Sequence, residues 1–173
     1  MSEGTIVWIT GLPGAGKSSL AGRIAERARA AAMPCAVLDG DDVRAALGRP
    51  AGRGATERDE FYASLARMAA LLARQGLVVI VAATANRAAH RDQARALAPR
   101  FVEVHVATPA VECERRDPKG LYAAARAGVA TGVPGVDAAY EAPRSPDVTA
   151  SGGDDVGAVD RVMAMLRAFG DVS

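Results

Sequence analysis

The sequence predicts an α/β protein in which a parallel β-sheet of about five strands carries helices on both faces. Short, continuously apolar segments alternate with longer amphipathic segments along most of the chain. The apolar segments lack the alternation of a half-exposed strand, which indicates a sheet that is buried on both faces. The 173 residues, 50% of them hydrophobic, suffice for one domain, which we assign to residues 1–173.

The N-terminal third predicts a strand, a loop, a helix and a second strand. The run TIVWIT at residues 5–10 is apolar and opens into a glycine-rich turn. Behind the turn, SSLAGRIAERARAAA has apolar residues at helical spacing. The segment CAVLDG then predicts a strand that ends in acidic residues, followed by a short helix beginning near Val43.

The rest of the chain repeats this alternation. We predict helices in RDEFYASLARMAALLARQG, RAAHRDQARALAP and PAVECERRD, and strands in LVVIVAA and FVEVHVAT. A short strand near DVTAS and a helix from about Asp154 to Phe169 complete the domain. The intervening segment, residues 118–146, is long and rich in glycine and proline, which is typical of a lid or binding loop.

Composition limits the ligands, the cellular location and the cysteine roles that we expect. Lys and Arg total 21 against 20 Asp and Glu, so no net basic field would attract nucleic acid or a membrane surface. We therefore expect a small-molecule acceptor, no nucleic acid and no membrane partner. No secretory signal pattern or long apolar run is present, which predicts a cytoplasmic location. Cys35 and Cys113 lack the spacing of a metal site and are expected to be buried or half-buried thiols.

The segment GLPGAGKS, from Gly11 to Ser18, fits the pattern Gly-x4-Gly-Lys-Ser/Thr between a strand and a helix. Its glycines allow successive backbone N–H groups to face an anion, and the helix N-terminus adds its dipole. Lys17 is expected to contact the β- and γ-phosphates of ATP, and the Ser18 hydroxyl to bind Mg²⁺. This predicts a P-loop NTPase fold with ATP as co-substrate and Mg²⁺ as cofactor. The predicted ATP-binding residues are Gly11, Leu12, Pro13, Gly14, Ala15, Gly16, Lys17, Ser18 and Ser19.

Acidic residues follow the second predicted strand, at the sheet edge where open α/β proteins bind ligands. A carboxylate at this position can hold Mg²⁺ through water and accept the proton of an attacking hydroxyl. We expect Asp41 to do this with Asp39 as a helper, so the predicted catalytic residues are Asp41, Lys17 and Asp39. The predicted metal-binding residues are Ser18, Asp39 and Asp41.

Two neighbouring residues have structural alternatives. Asp42 is expected to cap the helix that begins near Val43, because Asp is a favoured N-cap residue, and Asp39 or Asp41 is the alternative cap. Arg44 lies one turn further on, and we interpret its planar guanidinium as a hydrogen-bond donor to an anionic group of the acceptor. The alternative for Arg44 is a solvated helix arginine.

Four segments in this order resemble the adenylylsulfate kinases: GLPGAGKSSLA, LDGDDVRAAL, RDPKGLYAAARAG and GVDAAYEAP. They cover about residues 5–150, and DPKGLY with YEAP downstream is more specific than the glycine-rich loop alone. The resemblance implies transfer of the ATP γ-phosphate to the 3′-hydroxyl of adenosine 5′-phosphosulfate (APS), within sulfate assimilation. It places Arg116 near the ATP base and Tyr122 in the mobile segment. The acceptor-binding residues it implies are Asp41, Arg44, Arg58, Lys119, Gly120 and Leu121.

The sequence departs from this family in the acceptor pocket. The family clamps the acceptor's adenine between two phenylalanines, and their positions here read Arg53 and Val133. Stacking on each ring is worth roughly 1–3 kcal/mol, so both losses together predict weak APS binding. Phe61 is the nearest candidate for a substitute ring.

Further departures lie in two other segments. The asparagine and paired arginines of the family's third helix read Phe61, Ala63 and Ser64. The family's Ser-Pro-aromatic-Arg after the third strand is replaced by ATANRAAHRD, so Arg87 or Arg91 would have to supply that arginine.

The sequence leaves three functions open. The first is an adenylylsulfate kinase with a divergent pocket. The second is a kinase of the same mechanism for another small acceptor, such as a different nucleotide diphosphate derivative or a biosynthetic intermediate. The third is a catalytically silent nucleotide-binding module, against which the intact set Lys17, Ser18, Asp39 and Asp41 argues. A homodimer is one expected assembly.

Overall fold

The computed structural model describes residues 3–48 and 54–170. Within these residues the strands are β1 (Thr5–Thr10), β2 (Cys35–Asp39), β3 (Val78–Ala82), β4 (Phe101–Val106) and β5 (Val148–Ala150). The helices are α1 (Lys17–Ala30), α2 (Gly40–Ala46), α3 (Ala55–Ala73), α4 (Ala88–Leu97), α5 (Ala110–Arg116), α6 (Leu121–Arg126) and α7 (Val156–Gly170). The predicted alternation of strands and helices is confirmed.

The five strands form one sheet in the order β2-β3-β1-β4-β5, and every pairing is parallel. The register aligns Asp39 at the end of β2 with Ala82 on β3, and Ala82 with Ile9 on β1. The carboxyl ends of these strands therefore share one edge of the sheet. This edge is where the glycine-rich loop and the acidic residues both begin, as the sequence predicts.

Helices cover both faces of the sheet, and β1 supplies a core residue to each face in turn. Val7 and Ile9 pack with α1 and α7 in one cluster of buried residues. Ile6 and Trp8 belong to a second cluster that is built mainly on α3. Since successive strand residues point to opposite faces, the fully buried run TIVWIT is what a doubly covered central strand requires.

The start of α2 corrects one prediction. The helix begins at Gly40, and its N-cap is Asp39, whose Oδ1 accepts a hydrogen bond from the backbone N–H of Asp41 at 3.0 Å. The expected cap at Asp42 and the expected helix start near Val43 are therefore wrong. The physical reason is that Asp39 ends β2 in an extended conformation, which places its carboxylate over the first free N–H groups of the helix.

Two further predictions concern the start of α3 and the position of Arg53. Helix α3 begins at Ala55, three residues before the predicted start. Arg53, one of the two adenine-clamp positions, lies outside the described residues.

Cys35 is half-buried and Cys113 is buried, both as free thiols, as predicted. Among residues 3–48 and 54–170, no helix has the length and apolar character needed to cross a membrane.

Candidate active site

The glycine-rich loop runs from the end of β1 to Lys17, the first residue of α1. Gly14 and Gly16 have φ angles of +77° and +103°, which L residues with a side chain rarely adopt. These two conformations turn the loop around the N-terminus of α1. The Thr108 hydroxyl, just beyond β4, donates to the Ala15 carbonyl at 2.7 Å and ties the loop to the sheet. The local sequence therefore builds a fixed turn at a helix N-terminus, of the kind that can bind an anion.

Lys17 folds back over this loop. Its Nζ donates to the carbonyls of Gly11 at 3.0 Å and Leu12 at 2.8 Å. Burial, together with the positive charge of Lys119, lowers the pKa of Lys17 to about 8. A half-buried ammonium with such a pKa is stabilised when an anion replaces the carbonyls, because a phosphate supplies the missing negative charge.

A second glycine loop, between β5 and α7, supports the first one. A Cβ added at Gly153 would lie 2.6 Å from the Gly16 carbonyl oxygen and 2.9 Å from the Ser19 Cβ. A Cβ added at Gly16 would likewise lie 2.7 Å from the Gly153 nitrogen. The two backbones touch without room for a methyl group. This contact was not predicted from the sequence, in which its only local signal is the pair of glycines after the last strand.

The acidic residues lie beside the loop. Ser18 Oγ donates to Asp39 Oδ2, while the other oxygen of the same carboxylate caps α2. Asp41 points into solvent, with 65% of its side chain exposed, and its Oδ2 pairs with Lys119 Nζ. The structure thus brings together Ser18, Asp39 and Asp41, which the sequence predicted as one set, and adds Lys119 to them.

One cleft of about 460 Å³ joins most of the predicted site residues. The predicted residues that line it are Pro13, Gly14, Gly16, Lys17, Ser18, Ser19, Asp39, Asp41, Arg44, Arg116, Lys119 and Leu121. Gly11, Leu12, Ala15 and Gly120 do not occur among the described lining residues. Arg116 is also held by Glu112, through an Nε to Oε1 hydrogen bond of 2.8 Å.

A smaller cavity of about 120 Å³ adjoins the cleft and shares Asp41, Arg44 and Leu121 with it. Arg58 lines this second cavity and donates from Nη2 to the Gly132 carbonyl at 2.5 Å. Val133, at the second clamp position, borders the same cavity and is buried. The predicted acceptor residues therefore divide between two connected spaces, with Arg44 at their junction.

Arg44 stacks on an aromatic ring. Its Cζ lies 3.6 Å from the centroid of the Phe61 ring on α3, at the wall of the larger cleft. Burial lowers the pKa of Arg44, while the adjacent Tyr62 opposes that shift. The alternative of a freely solvated helix arginine does not fit this geometry.

The two candidates for the family's missing arginine have structural partners. Arg91 is buried and donates to Glu103 Oε1 at 2.9 Å and to the carbonyls of Ala85 and Glu141, both at 2.7 Å. Arg87 pairs with Asp59 at 3.0 Å. Neither arginine occurs among the described residues that line the two cavities. Neither one therefore replaces the missing arginine in this conformation.

The segment 118–146 borders both cavities and is anchored to the glycine-rich loop and to the end of β1. The Tyr122 hydroxyl donates to the Pro13 carbonyl at 2.8 Å, and Tyr140 Oη lies 3.0 Å from Thr10 Oγ1. The Asp137 carboxylate accepts from the N–H groups of Gly132 and Val133, both at 2.7 Å. The segment is therefore internally braced beside the smaller cavity, and its role as a lid stays a prediction.

Known proteins resemble this chain in sequence and in structure. The sequence model of the adenylylsulphate kinase family matches residues 3–151. An adenylyl-sulfate kinase from Shewanella denitrificans is 42% identical over 168 residues, covering 95% of this chain and 82% of that protein. The structure of the Mycobacterium tuberculosis APS kinase in complex with AMPPNP and APS matches with a TM-score of 0.89 and 38% identity, over 96% of this chain and 99% of that one.

A hexameric APS kinase from Thiobacillus denitrificans also matches, with a TM-score of 0.69 and 28% identity, over 98% of this chain and 30% of that chain. The fold is that of a P-loop kinase, as the glycine-rich loop predicted. By both sequence and structure, this chain belongs to the adenylylsulfate kinase family.

Proposed function

We propose that this protein transfers the γ-phosphate of ATP to the 3′-hydroxyl of APS, as an adenylylsulfate kinase of sulfate assimilation. The observation that carries the proposal is the single cleft that brings the P-loop lysine, Asp41 and Arg44 together. A family member of 38% identity is described with AMPPNP and APS bound, the two kinds of ligand that this cleft would hold. No comparison favours a different acceptor.

The donor end of the cleft is the glycine-rich loop. Residues 11–19 would bind the ATP phosphates through backbone N–H groups at the start of α1, where the helix dipole favours an anion. Lys17 would leave the loop carbonyls and contact the β- and γ-phosphates. Arg116, at the same wall of the cleft, would lie near the base.

The residues beside the loop fit Mg²⁺. Ser18 Oγ and the Asp39 carboxylate are hydrogen-bonded to each other, so two hard oxygen donors lie side by side next to the phosphate loop. No group of three His, Cys, Asp or Glu side chains among the described residues could cage a metal. This suits Mg²⁺, which keeps several waters and binds through few protein oxygens plus phosphates. When bound, the ion would neutralise phosphate charge, with Asp41 as a further water-mediated partner.

The transfer step would take place between the loop and Asp41. The acceptor's 3′-oxygen forms a bond to the γ-phosphorus while the bond from the bridging oxygen to that phosphorus breaks, and ADP leaves with the electron pair. The hydroxyl proton passes to the Asp41 carboxylate, which must first exchange its contact with Lys119. Lys17 would stabilise the charge on the transferring group.

The acceptor end would be formed by Arg44 and Arg58 together with the segment Lys119–Leu121. The arginines border the smaller cavity, where an anionic phosphosulfate group would find complementary charge. Val133 stands there without an aromatic ring, so we expect APS to bind more weakly than a two-ring clamp would allow. The homodimer, the single-domain assignment and the cytoplasmic location stay predictions.

A comparison of acceptors tests the proposal. ADP release from ATP is measured with APS, AMP, adenosine, gluconate or shikimate as acceptor, each over a range of concentrations. We expect rapid APS-dependent release, with kcat/KM for APS at least about 100-fold above that of the other acceptors. The matched control is Lys17→Ala, which should lower kcat by about 100-fold or more. Preference for another acceptor, or release that ignores every acceptor, would contradict the proposal.

A further inference from the structure

Two aromatic residues on α3 lie beneath the acceptor end of the site. Phe61 is only 3% exposed and contacts Tyr62 edge-on, with 5.5 Å between the ring centroids. Both rings belong to the buried cluster on this face of the sheet, which fixes them in place. The face of Phe61 that borders the cleft carries the Arg44 guanidinium, 3.6 Å from the ring centroid.

This stacking determines where an otherwise mobile side chain lies. Arg44 projects from the short helix α2, and a long arginine side chain samples many rotamers when nothing holds it. The Phe61 ring attracts the guanidinium by a cation–π interaction, and the adjacent Tyr62 side chain opposes the lowering of the Arg44 pKa and so favours the charged form of the same group. Arg44 consequently lies at the junction of the two cavities.

The same geometry removes an alternative role for Phe61. A base that stacked directly on this ring would have to displace the guanidinium, because Arg44 already covers the ring. The Phe61 ring instead supports the Arg44 guanidinium that lies over it.

We propose that Phe61 is a positioning residue that holds the Arg44 guanidinium where it meets the anionic part of the acceptor. This inference rests on the proposed function, since it assigns the acceptor contact to Arg44. Phe61 does not touch the reacting atoms, and it acts through Arg44 alone.

Steady-state kinetics of Phe61→Leu and Phe61→Tyr test the proposal, with ADP release measured separately against APS and ATP concentration. Loss of the ring in Phe61→Leu should raise the KM for APS by roughly 3- to 30-fold, which is the range of cation–π interactions. The KM for ATP should stay within about 2-fold, because the ATP phosphates meet Lys17 and Ser18 instead. Phe61→Tyr keeps the ring and should restore the wild-type KM for APS.

Two further variants test whether Phe61 acts by positioning Arg44 or only by packing in the core. Leu65→Val alters a fully buried neighbour on the same helix and should leave the KM for APS unchanged. In an Arg44→Ala background, Phe61→Leu should add less than about 2-fold, because the group that it positions is gone.

Two results would overturn the inference. One is an unchanged KM for APS in Phe61→Leu, and the other is an equal rise with and without Arg44, which would make the ring a direct platform for the acceptor. Failure of the proposed function differs from both, since wild-type enzyme would then show no turnover with APS at all.

Discussion

Substitution of Gly153 by alanine should lower kcat/KM for ATP, although the new methyl group would not contact ATP itself. The added Cβ would lie 2.6 Å from the Gly16 carbonyl oxygen, about 0.8 Å closer than the 3.4 Å at which ordinary contact begins. A second short contact, 2.9 Å, faces the Ser19 Cβ. Since the obstructing atoms belong to backbone and to a Cβ, no flexible side chain can move aside. The two loops must separate.

The size of the effect follows from that separation. A displacement approaching 1 Å in groups that position a reacting phosphate costs up to about 100-fold in rate. We therefore expect kcat/KM for ATP to fall by about 10- to 100-fold in Gly153→Ala. Overpacking of this kind also lowers the free energy of unfolding by about 1–3 kcal/mol. Initial rates at varied ATP, taken well below the unfolding temperature, separate the two effects.

Gly22→Ala provides the matched control. Gly22 lies on the same helix as Lys17, and an added Cβ there meets none of the described atoms within 4 Å. Its kinetics should equal those of wild type, and its unfolding free energy should rise by about 0.5–1 kcal/mol because alanine favours a helix over glycine. Wild-type kcat/KM for ATP in Gly153→Ala would refute the idea that the second glycine loop fixes the first.

Three more predictions concern the acid, the lysine and the segment over the cleft. Asp41→Asn should bind ATP normally in a titration but lower kcat by about 100-fold or more, because the proton acceptor is lost. Lys17, with a pKa of about 8, must be charged to hold phosphate. Raising the pH through 8 should therefore weaken ATP binding, and calorimetry at pH 8.5 in two buffers should show proton uptake of up to about one per ATP. Hydrogen exchange across residues 118–137 should slow when AMPPNP and APS are both bound.

Each of these three predictions has an outcome that would contradict it. Loss of ATP binding in a folded Asp41→Asn variant would assign that carboxylate to the metal alone. Calorimetric heats that are independent of the buffer at pH 8.5 would mean that Lys17 is already fully charged before ATP arrives. Equal exchange of residues 118–137 with and without ligands would count against a lid.

The sequence predicted the framework well because its signals are local. TIVWIT predicts a strand buried on both faces, and GLPGAGKS predicts a loop between a strand and a helix. The parallel sheet and the P-loop could therefore be predicted from these segments. The acidic residues were also placed correctly at the sheet edge, because Asp39 ends a strand whose neighbours end at the same level. The capping role went to the wrong residue, since Asp39, Asp41 and Asp42 are equally suitable by type and only the backbone path selects one.

The contacts that escaped prediction join distant parts of the chain. Gly16 and Gly153 are far apart in sequence, and neither glycine signals that the other's backbone will touch it. The stacking of Arg44 on Phe61 depends on how α2 packs against α3, which no local pattern encodes. Arg91 was a candidate ligand by residue type, but burial against Glu103 makes it a structural ion pair. Side-chain roles set by tertiary packing therefore required the structure.

Transfer of labelled phosphate tests the central claim most directly. Wild-type enzyme is incubated with γ-³²P-ATP, Mg²⁺ and APS, and the labelled product is treated with a 3′-specific nucleotidase. The proposed function predicts one labelled nucleotide that appears only when APS is present and loses its label completely to the 3′-nucleotidase. Label that stays on the nucleotide after this treatment, or that appears only as inorganic phosphate, would contradict transfer to the 3′-hydroxyl of APS.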